Sequence, residues 1–347
     1  MRKRLEMMAR QSKLLRKVRK VATIWGTLTR EGLIALNTYD GRSIQPVIWA
    51  QAVGCLVMGW TVANKEALEA WYPPIFIALG TGYCGSVTTF STWILQVFQA
   101  YSNQHHFRRH GLHNVMDALT QTAATLGISL AALAAGKALA GVLPARALTS
   151  RLTRRRSGNA GHASSTRLTP TTDLLVFLVL GVGFWAGAAL LAGLETRRNF
   201  RPTTFAITFA PPGAILRWLL SPLNSNRLSK RAPYWPLGTF AANIIATLVL
   251  AGLFDAQHYG QRGQLPAAHT VVSCQVLYGL QEGFCGCLST ISTFAVELRN
   301  LRPHRRAVSY AVGSYAVGMA ICVIVIGAPW WSGGGMEGSC SGLIGYS

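Results

Sequence analysis

Acidic residues are scarce: 12 Asp and Glu stand against 33 Lys and Arg in 347 residues, for a formal net charge of +21. Only 13% of residues are charged, half are apolar, and the mean hydropathy is +0.29. That balance indicates an integral membrane protein. A charge of +21 raises nucleic acid as a partner, but the basic residues collect between apolar runs, as in chains oriented across a membrane. Nucleic-acid binding is therefore set aside. No cleavable signal peptide is visible, because the first twenty residues are too basic and lack an apolar core. No nucleophile–base pair, phosphate loop or ATP site stands out, so no enzyme is read. The seven cysteines, four of them in expected helices (Cys55, Cys84, Cys285, Cys322), give no disulfide framework. Cys285 and Cys287 have no further metal ligands beside them, and Ser86 stands at the place matching Cys287. His105, His106, His110 and His113 fall in a polar loop.

What the chain does have is one stretch written twice. Residues 82–93 read GYCGSVTTFSTW and residues 283–294 read GFCGCLSTISTF. At an offset of 201 they agree at Gly82/Gly283, Cys84/Cys285, Gly85/Gly286, Thr89/Thr290, Ser91/Ser292 and Thr92/Thr293. Each copy lies inside a long apolar run. Its glycines weaken a helix and admit a close neighbour. The hydroxyl run behind them can re-satisfy backbone groups that a broken membrane helix leaves free. The expectation is an interrupted transmembrane helix, used twice.

Nine spans are expected, at about 21–39, 46–63, 73–100, 116–143, 173–194, 203–221, 235–254, 270–298 and 307–327. They divide the chain into a basic leader (1–20), a first four-helix repeat (21–143), an Arg/Ser-rich linker (144–172), a linker transmembrane helix (173–195), a second four-helix repeat (196–328) and a Gly-rich tail (329–347). With the N-terminus in the cytosol, 23 of the 33 basic residues fall in cytosolic segments and seven in outer ones. That count puts the N-terminus inside and the C-terminus outside. The odd linker helix inverts the second repeat against the first, and inverted repeats share a site near the bilayer midplane. The expected fold is an all-α integral membrane protein of two inverted four-helix repeats, at work as a monomer in the lipid bilayer of the plasma membrane.

Landmarks recur around the motif. Arg30 matches Arg217, and Gln51 matches Asn243. A charge at mid-membrane costs about 2.5–3.5 kcal/mol on insertion scales. A repeated arginine is thus either an anion attractor at a vestibule or a structural group bonded to carbonyls near a helix end. Asn243 either lines a pore or joins helices. Phe90 and Trp93 share a helix face, and the positive edges of rings such as Phe90 and Phe294 can face a small anion.

These stretches resemble the signature of the Fluc (CrcB) fluoride channels. Two copies joined by one extra helix resemble the eukaryotic two-domain branch of that family, the FEX exporters. The resemblance covers about residues 21–327. It implies a passive fluoride-selective channel with two possible pores, a central structural sodium ion and no organic cofactor. The family's sodium ligands, which are backbone carbonyls, fall on Gly85, Thr88, Gly286 and Ser289. Its pore phenylalanines fall on Phe90 and Trp93 in the first repeat and on Ile291 and Phe294 in the second. The pore asparagine falls on Asn243 and on Gln51, the hydroxyl track on Ser91, Thr92, Ser292 and Thr293, and the vestibule arginine on Arg30 and Arg217. Each pore takes one phenylalanine position from each half. Phe90 with Phe294 keeps both rings, whereas Trp93 with Ile291 has lost one, which implies one working and one degenerate pore. An inside-negative potential is worth about 2.3 kcal/mol per charge per 100 mV, so such a pore exports an anion without ATP. The alternative is a coupled fluoride/proton transporter with Glu31 and Glu282 as its relay.

Overall fold

The structure, a computed structural model, describes residues 21–35, 44–104, 107–108, 110–147, 178–194, 200–224, 235–258, 270–333 and 340. The basic leader, nearly all of the 144–172 linker, the start of the linker helix and most of the tail lie outside them. All regular structure among the described residues is helical. Helix α1 covers residues 21–35, and α2 is Val47–Ala63. Asn64 then turns the chain by 75° into α3, Lys65–Trp71. Its side chain donates to Trp60 O (3.1 Å) and accepts from Ala145 N (2.8 Å). Helix α4 fills residues 73–87 as Pro73–Ile77, a π-helical turn Ala78–Cys84, and Gly85–Val87. Next come α5, Phe90–Ser102, and α6, Gly111–Val142.

Helix α7 (residues 178–194) separates these elements from a second set in the same order. That set is α8, Arg201–Leu220; α9, Leu237–His258; α10 (residues 271–288); α11, Ile291–Asn300; and α12 (residues 304–333). Helix α10 repeats the composite build of α4, with Val271–Gly279, a π-helical turn Leu280–Cys285, and Gly286–Leu288. Both motif copies break at one place. Thr88 and Thr89, like Ser289 and Thr290, leave the helix for extended backbone. The interruption is that expected from the glycines and hydroxyls; the π-helical turn before it was not foreseen.

By length and hydropathy, α6, α9 and α12 can each cross a membrane, and α2 with α3 makes a fourth if the bent pair is one span. Each motif helix is divided into two shorter pieces by its break. Helices α2 and α6 touch backbone to backbone: a Cβ on Gly59 would run into Leu133 O, and one on Gly136 into Leu56 O. Small residues permit this approach between helices in lipid, where little hydrophobic force drives them together. Leu119, Val142, Leu190, Leu219, Leu248 and Ile324 face outward, and phenyl, indole and aliphatic groups from both sets fill the interior. An apolar surface of this kind fits a lipid surround.

One reading of the cysteines is corrected. Cys274, in the first turn of α10, is disulfide-bonded to Cys340 in the tail. The other five thiols are free and buried, as small apolar groups in membrane helices.

Candidate functional site

A break inside a buried helix strands backbone groups on both of its sides, and each needs a partner. The two copies supply one another. Ser289 Oγ accepts from the backbone nitrogens of Phe90 (3.1 Å) and Ser91 (3.2 Å), so the second copy caps α5. In return Thr88 Oγ1 accepts from Ser292 N (3.0 Å) at the start of α11. Each copy adds its own N-cap: Thr89 Oγ1 accepts from Thr92 N and Thr290 Oγ1 from Thr293 N. The hydroxyls join in one cluster, with Thr88 3.1 Å from Thr290 and Ser289 3.0 Å from both Thr89 and Ser91.

Gln51 and Asn243 do the same work at equivalent places. Gln51 Oε1 accepts from Thr89 N (3.3 Å) while its Nε2 donates to Thr89 O (2.6 Å). Asn243 Oδ1 accepts from Thr290 N (2.8 Å) and its Nδ2 donates to Thr290 O (3.4 Å). Both amides are buried clamps on the extended residue of the break. Each amide nitrogen carries a second N–H.

The arginines cross to the break as well. Arg30 donates to Ser86 O (2.8 Å) and to Glu282 O; Arg217 donates to Gly85 O and to Thr81 O (2.6 Å). Their guanidinium groups lie on the glycines of the opposite repeat. A Cβ on Gly85 would sit 2.6 Å from Arg217 Nη1, and one on Gly286 would collide with Arg30 in the same way. A larger residue at either glycine requires the opposing guanidinium to shift.

The carbonyls with sodium-ligand character follow from this accounting. The nitrogens of Thr89, Thr92, Thr290 and Thr293 bond elsewhere, so the carbonyls of Gly85, Thr88, Gly286 and Ser289 lack their usual helical donors. Gly85 O is taken by Arg217, which leaves Thr88, Gly286 and Ser289. Carbonyl oxygens suit a hard cation, so three of the four expected ligands fit. Among the described residues no group of three or more His, Cys, Asp or Glu could hold a metal. His110 and His113 have ring centroids 6.1 Å apart, and His105 and His106 lie outside the described residues.

The aromatic positions divide. Phe90 and Phe294 meet edge to face, with centroids 5.6 Å apart and planes at 67°. Phe294 also packs on Tyr310 (5.0 Å), and Phe90 lies beside Gly318. Trp93 packs against Phe90 (5.4 Å) and Tyr315 (6.0 Å). Ile291 is fully buried without a ring to offer. Ser91 and Ser292 turn into the hydroxyl cluster; Thr92 is buried, and Thr293 is half-buried. Tyr310, Ser314 and Glu297 were missed from the sequence. Tyr310 and Thr239 donate to the two oxygens of half-buried Glu297 (2.9 and 2.6 Å), and the buried Ser314 hydroxyl has no partner. The signal was present as an acid within an apolar run and as polar residues four apart on α12.

Against known families, residues 19–137 and 204–328 each match the family described as CrcB-like protein, Camphor Resistance (CrcB). The chain belongs to the CrcB-like family. It matches that family twice, once in each repeat, with α7 between the two matches. Fluoride export protein 1 of Candida albicans is 34% identical, over 90% of this chain and 78% of its own length. Fluoride export protein 1 of Schizosaccharomyces pombe is 33% identical, over 91% of this chain and 96% of its own length. Fluoride-specific ion channel FluC 1 of Staphylococcus aureus is 32% identical over 117 residues, which is 84% of that protein but 33% of this CrcB-like chain. No solved structure matches.

Proposed function

We propose that this CrcB-like chain is a passive, fluoride-selective channel that exports fluoride from the cytosol down its electrochemical gradient. The observation that carries the reading is the Phe90–Phe294 pair, one ring from each repeat, beside helix breaks that cap one another. Relatives that match this chain over 90% and 91% of its length bear the name fluoride export protein. The working pore runs past Phe90, Phe294 and Asn243 with Ser91, Thr92, Ser292 and Thr293 near it; the Trp93, Ile291 and Gln51 side is degenerate.

Nine spans, with the second repeat inverted, make both halves of the pore from one polypeptide, and a monomer in the plasma membrane suffices. The N-terminus is cytosolic and the C-terminus outside. Two observations support that orientation. Basic residues favour the N-terminal side by 23 to seven, and a disulfide to the tail belongs on the oxidising side. A sodium ion at the break is held by the carbonyls of Thr88, Gly286 and Ser289, with Gly85 added where Arg217 releases it. Its contribution is positive charge against converging carbonyl dipoles; efflux slower without sodium on either side would support it, and unchanged efflux would remove it.

Glu31 and Glu282, the relay of the coupled-transporter alternative, lie 3.5 and 3.4 Å from Arg30 and share its single positive charge. Fluoride flux measured at clamped voltage with and without a pH gradient tests the choice. A passive channel gives the same flux in both; flux driven by the pH gradient alone would establish coupling.

A further inference from the structure

Between α11 and α12 the chain turns a corner, residues 299–306, that holds Arg299, Arg302, His304, Arg305 and Arg306, all exposed. No acid follows Glu297 until Glu337, and both Glu297 oxygens already accept from Tyr310 and Thr239. Among the described residues no carboxylate pairs with Arg299, Arg302 or Arg305. Basic residues on a cytosolic loop orient a membrane chain, but orientation alone does not say which way each one faces. Helix α12 does. Arg306 heads the row Tyr310, Ser314 and Gly318, four residues apart, which is turned inward: Tyr310 meets Phe294, and Gly318 meets Phe90. Arg305 lies on the other side, in line with the exposed Val308, Val312 and Ala316. Helical side chains lean toward the N-terminus, so Arg305 reaches back toward Arg302 at the corner. Arg306 instead donates to Arg302 O at 3.3 Å. Arg302 Nη1 donates to the His304 ring, 3.0 Å from Nδ1.

We propose that Arg302 and Arg305 bind the headgroup of an anionic phospholipid, one that carries monoester phosphates as an inositol phospholipid does. The two guanidiniums stand at the head of an apolar, outward-facing stripe, where acyl chains would lie below and phosphates beside the arginines. Their planar forks of N–H donors match phosphate oxygens in pairs. Two unpaired guanidiniums at one corner, with Arg299 at the end of α11 close in sequence, exceed the charge of a singly anionic headgroup. Basic clusters just cytoplasmic of a membrane helix attract such lipids. Placement in the inner leaflet rests on the orientation given under the channel reading; the binding itself does not. Arg306 turns away from the lipid and takes no part.

The test titrates dioctanoyl phosphatidylinositol bisphosphate into the full-length protein in neutral detergent and follows the melting temperature. Dioctanoyl phosphatidylserine at equal total charge and free inositol trisphosphate are the comparison probes. The expected result is a saturable rise with the inositol lipid, weakened by added salt. R302Q and R305Q should each raise the midpoint concentration about fivefold, the worth of one basic residue near an anionic surface. R306Q should stay within about twofold of wild type. All three positions are exposed, and each variant is first shown to elute as a single species. No saturable rise, or an equal rise with phosphatidylserine, would overturn the proposal. An equal effect of free inositol trisphosphate would replace lipid docking by a site for soluble phosphates. A midpoint unchanged in the R302Q/R305Q double variant would also overturn it. Fluoride flux does not enter the readout, so the channel reading stands or falls separately.

Discussion

The Ser289 hydroxyl oxygen lies 3.1 Å from the backbone nitrogen of Phe90, so the second copy of the motif caps the helix that the first copy opens. Thr88 returns the contact at Ser292. Neither break can satisfy its backbone alone, which is a physical reason for keeping both copies in one chain. Ser289→Ala removes the acceptor for two buried N–H groups and is expected to cost about 1–3 kcal/mol of stability. Thermal stability in detergent checks this; a wild-type melting temperature would count against the exchange of caps. The Ser289 carbonyl is unaffected, so any dependence of stability on sodium should persist.

Phe90→Ile and Phe294→Ile are each expected to lower fluoride efflux about a hundredfold, roughly 2.7 kcal/mol on the barrier. Each change removes a ring edge from a dehydrating anion. The variants are compared by efflux from liposomes at equal protein content, after elution as a single species. Efflux within a factor of about two of wild type would mean that the Phe90–Phe294 contact is packing only.

Trp93→Phe and Ile291→Val should leave efflux within about threefold of wild type, less than 1 kcal/mol on the barrier. Both changes are conservative because the sites are tight: Trp93 touches Phe90, and Ile291 is fully buried. A bulkier residue at 291 would overpack the core at about 1–3 kcal/mol. A loss at Trp93→Phe as large as that at Phe90→Ile would show that the two pathways are not divided.

Gly85→Ala and Gly286→Ala are expected to abolish the folded protein or shift its melting point strongly. A methyl group at Gly85 lands 2.6 Å from the Arg217 guanidinium, and one at Gly286 meets Arg30 in the same way. Both arginines are held by carbonyls and have little freedom to retreat. Stable, wild-type-like elution of either variant would show that the arginines move aside at small cost.

Much of this was legible in the sequence, and the limits are informative. The helix break was readable because glycine and hydroxyl residues stood together twice in an apolar run. The Phe90–Phe294 pairing was implied by the family resemblance, and the rings do meet. The crossing of the arginines onto Gly85 and Gly286 was hidden, since it joins residues far apart in the chain. The Cys274–Cys340 bridge was hidden for the same reason: a pairing cannot be deduced from a cysteine count. Gln51 was matched to Asn243 in the sequence, and its longer arm clamps Thr89 N and O as Asn243 clamps Thr290 N and O. Glu297 was overlooked because its partners, Thr239 and Tyr310, sit on two other helices.

The bridge yields a further expectation. It closes a loop with a sequence separation of 66 residues, which the chain-entropy account values at about 4 kcal/mol. An impermeant reductant should therefore free two thiols from the outer face of intact cells and lower the melting temperature of the purified protein. Labelling of those thiols only from the cytosolic side would reverse the orientation.

The central claim meets its most direct test in liposomes that contain the purified chain, loaded with fluoride in one set and chloride in another. Valinomycin supplies a potassium counter-current to each. Rapid fluoride efflux with chloride retained is the predicted result. Retention of fluoride, or release of both anions at similar rates, would contradict a fluoride-selective channel.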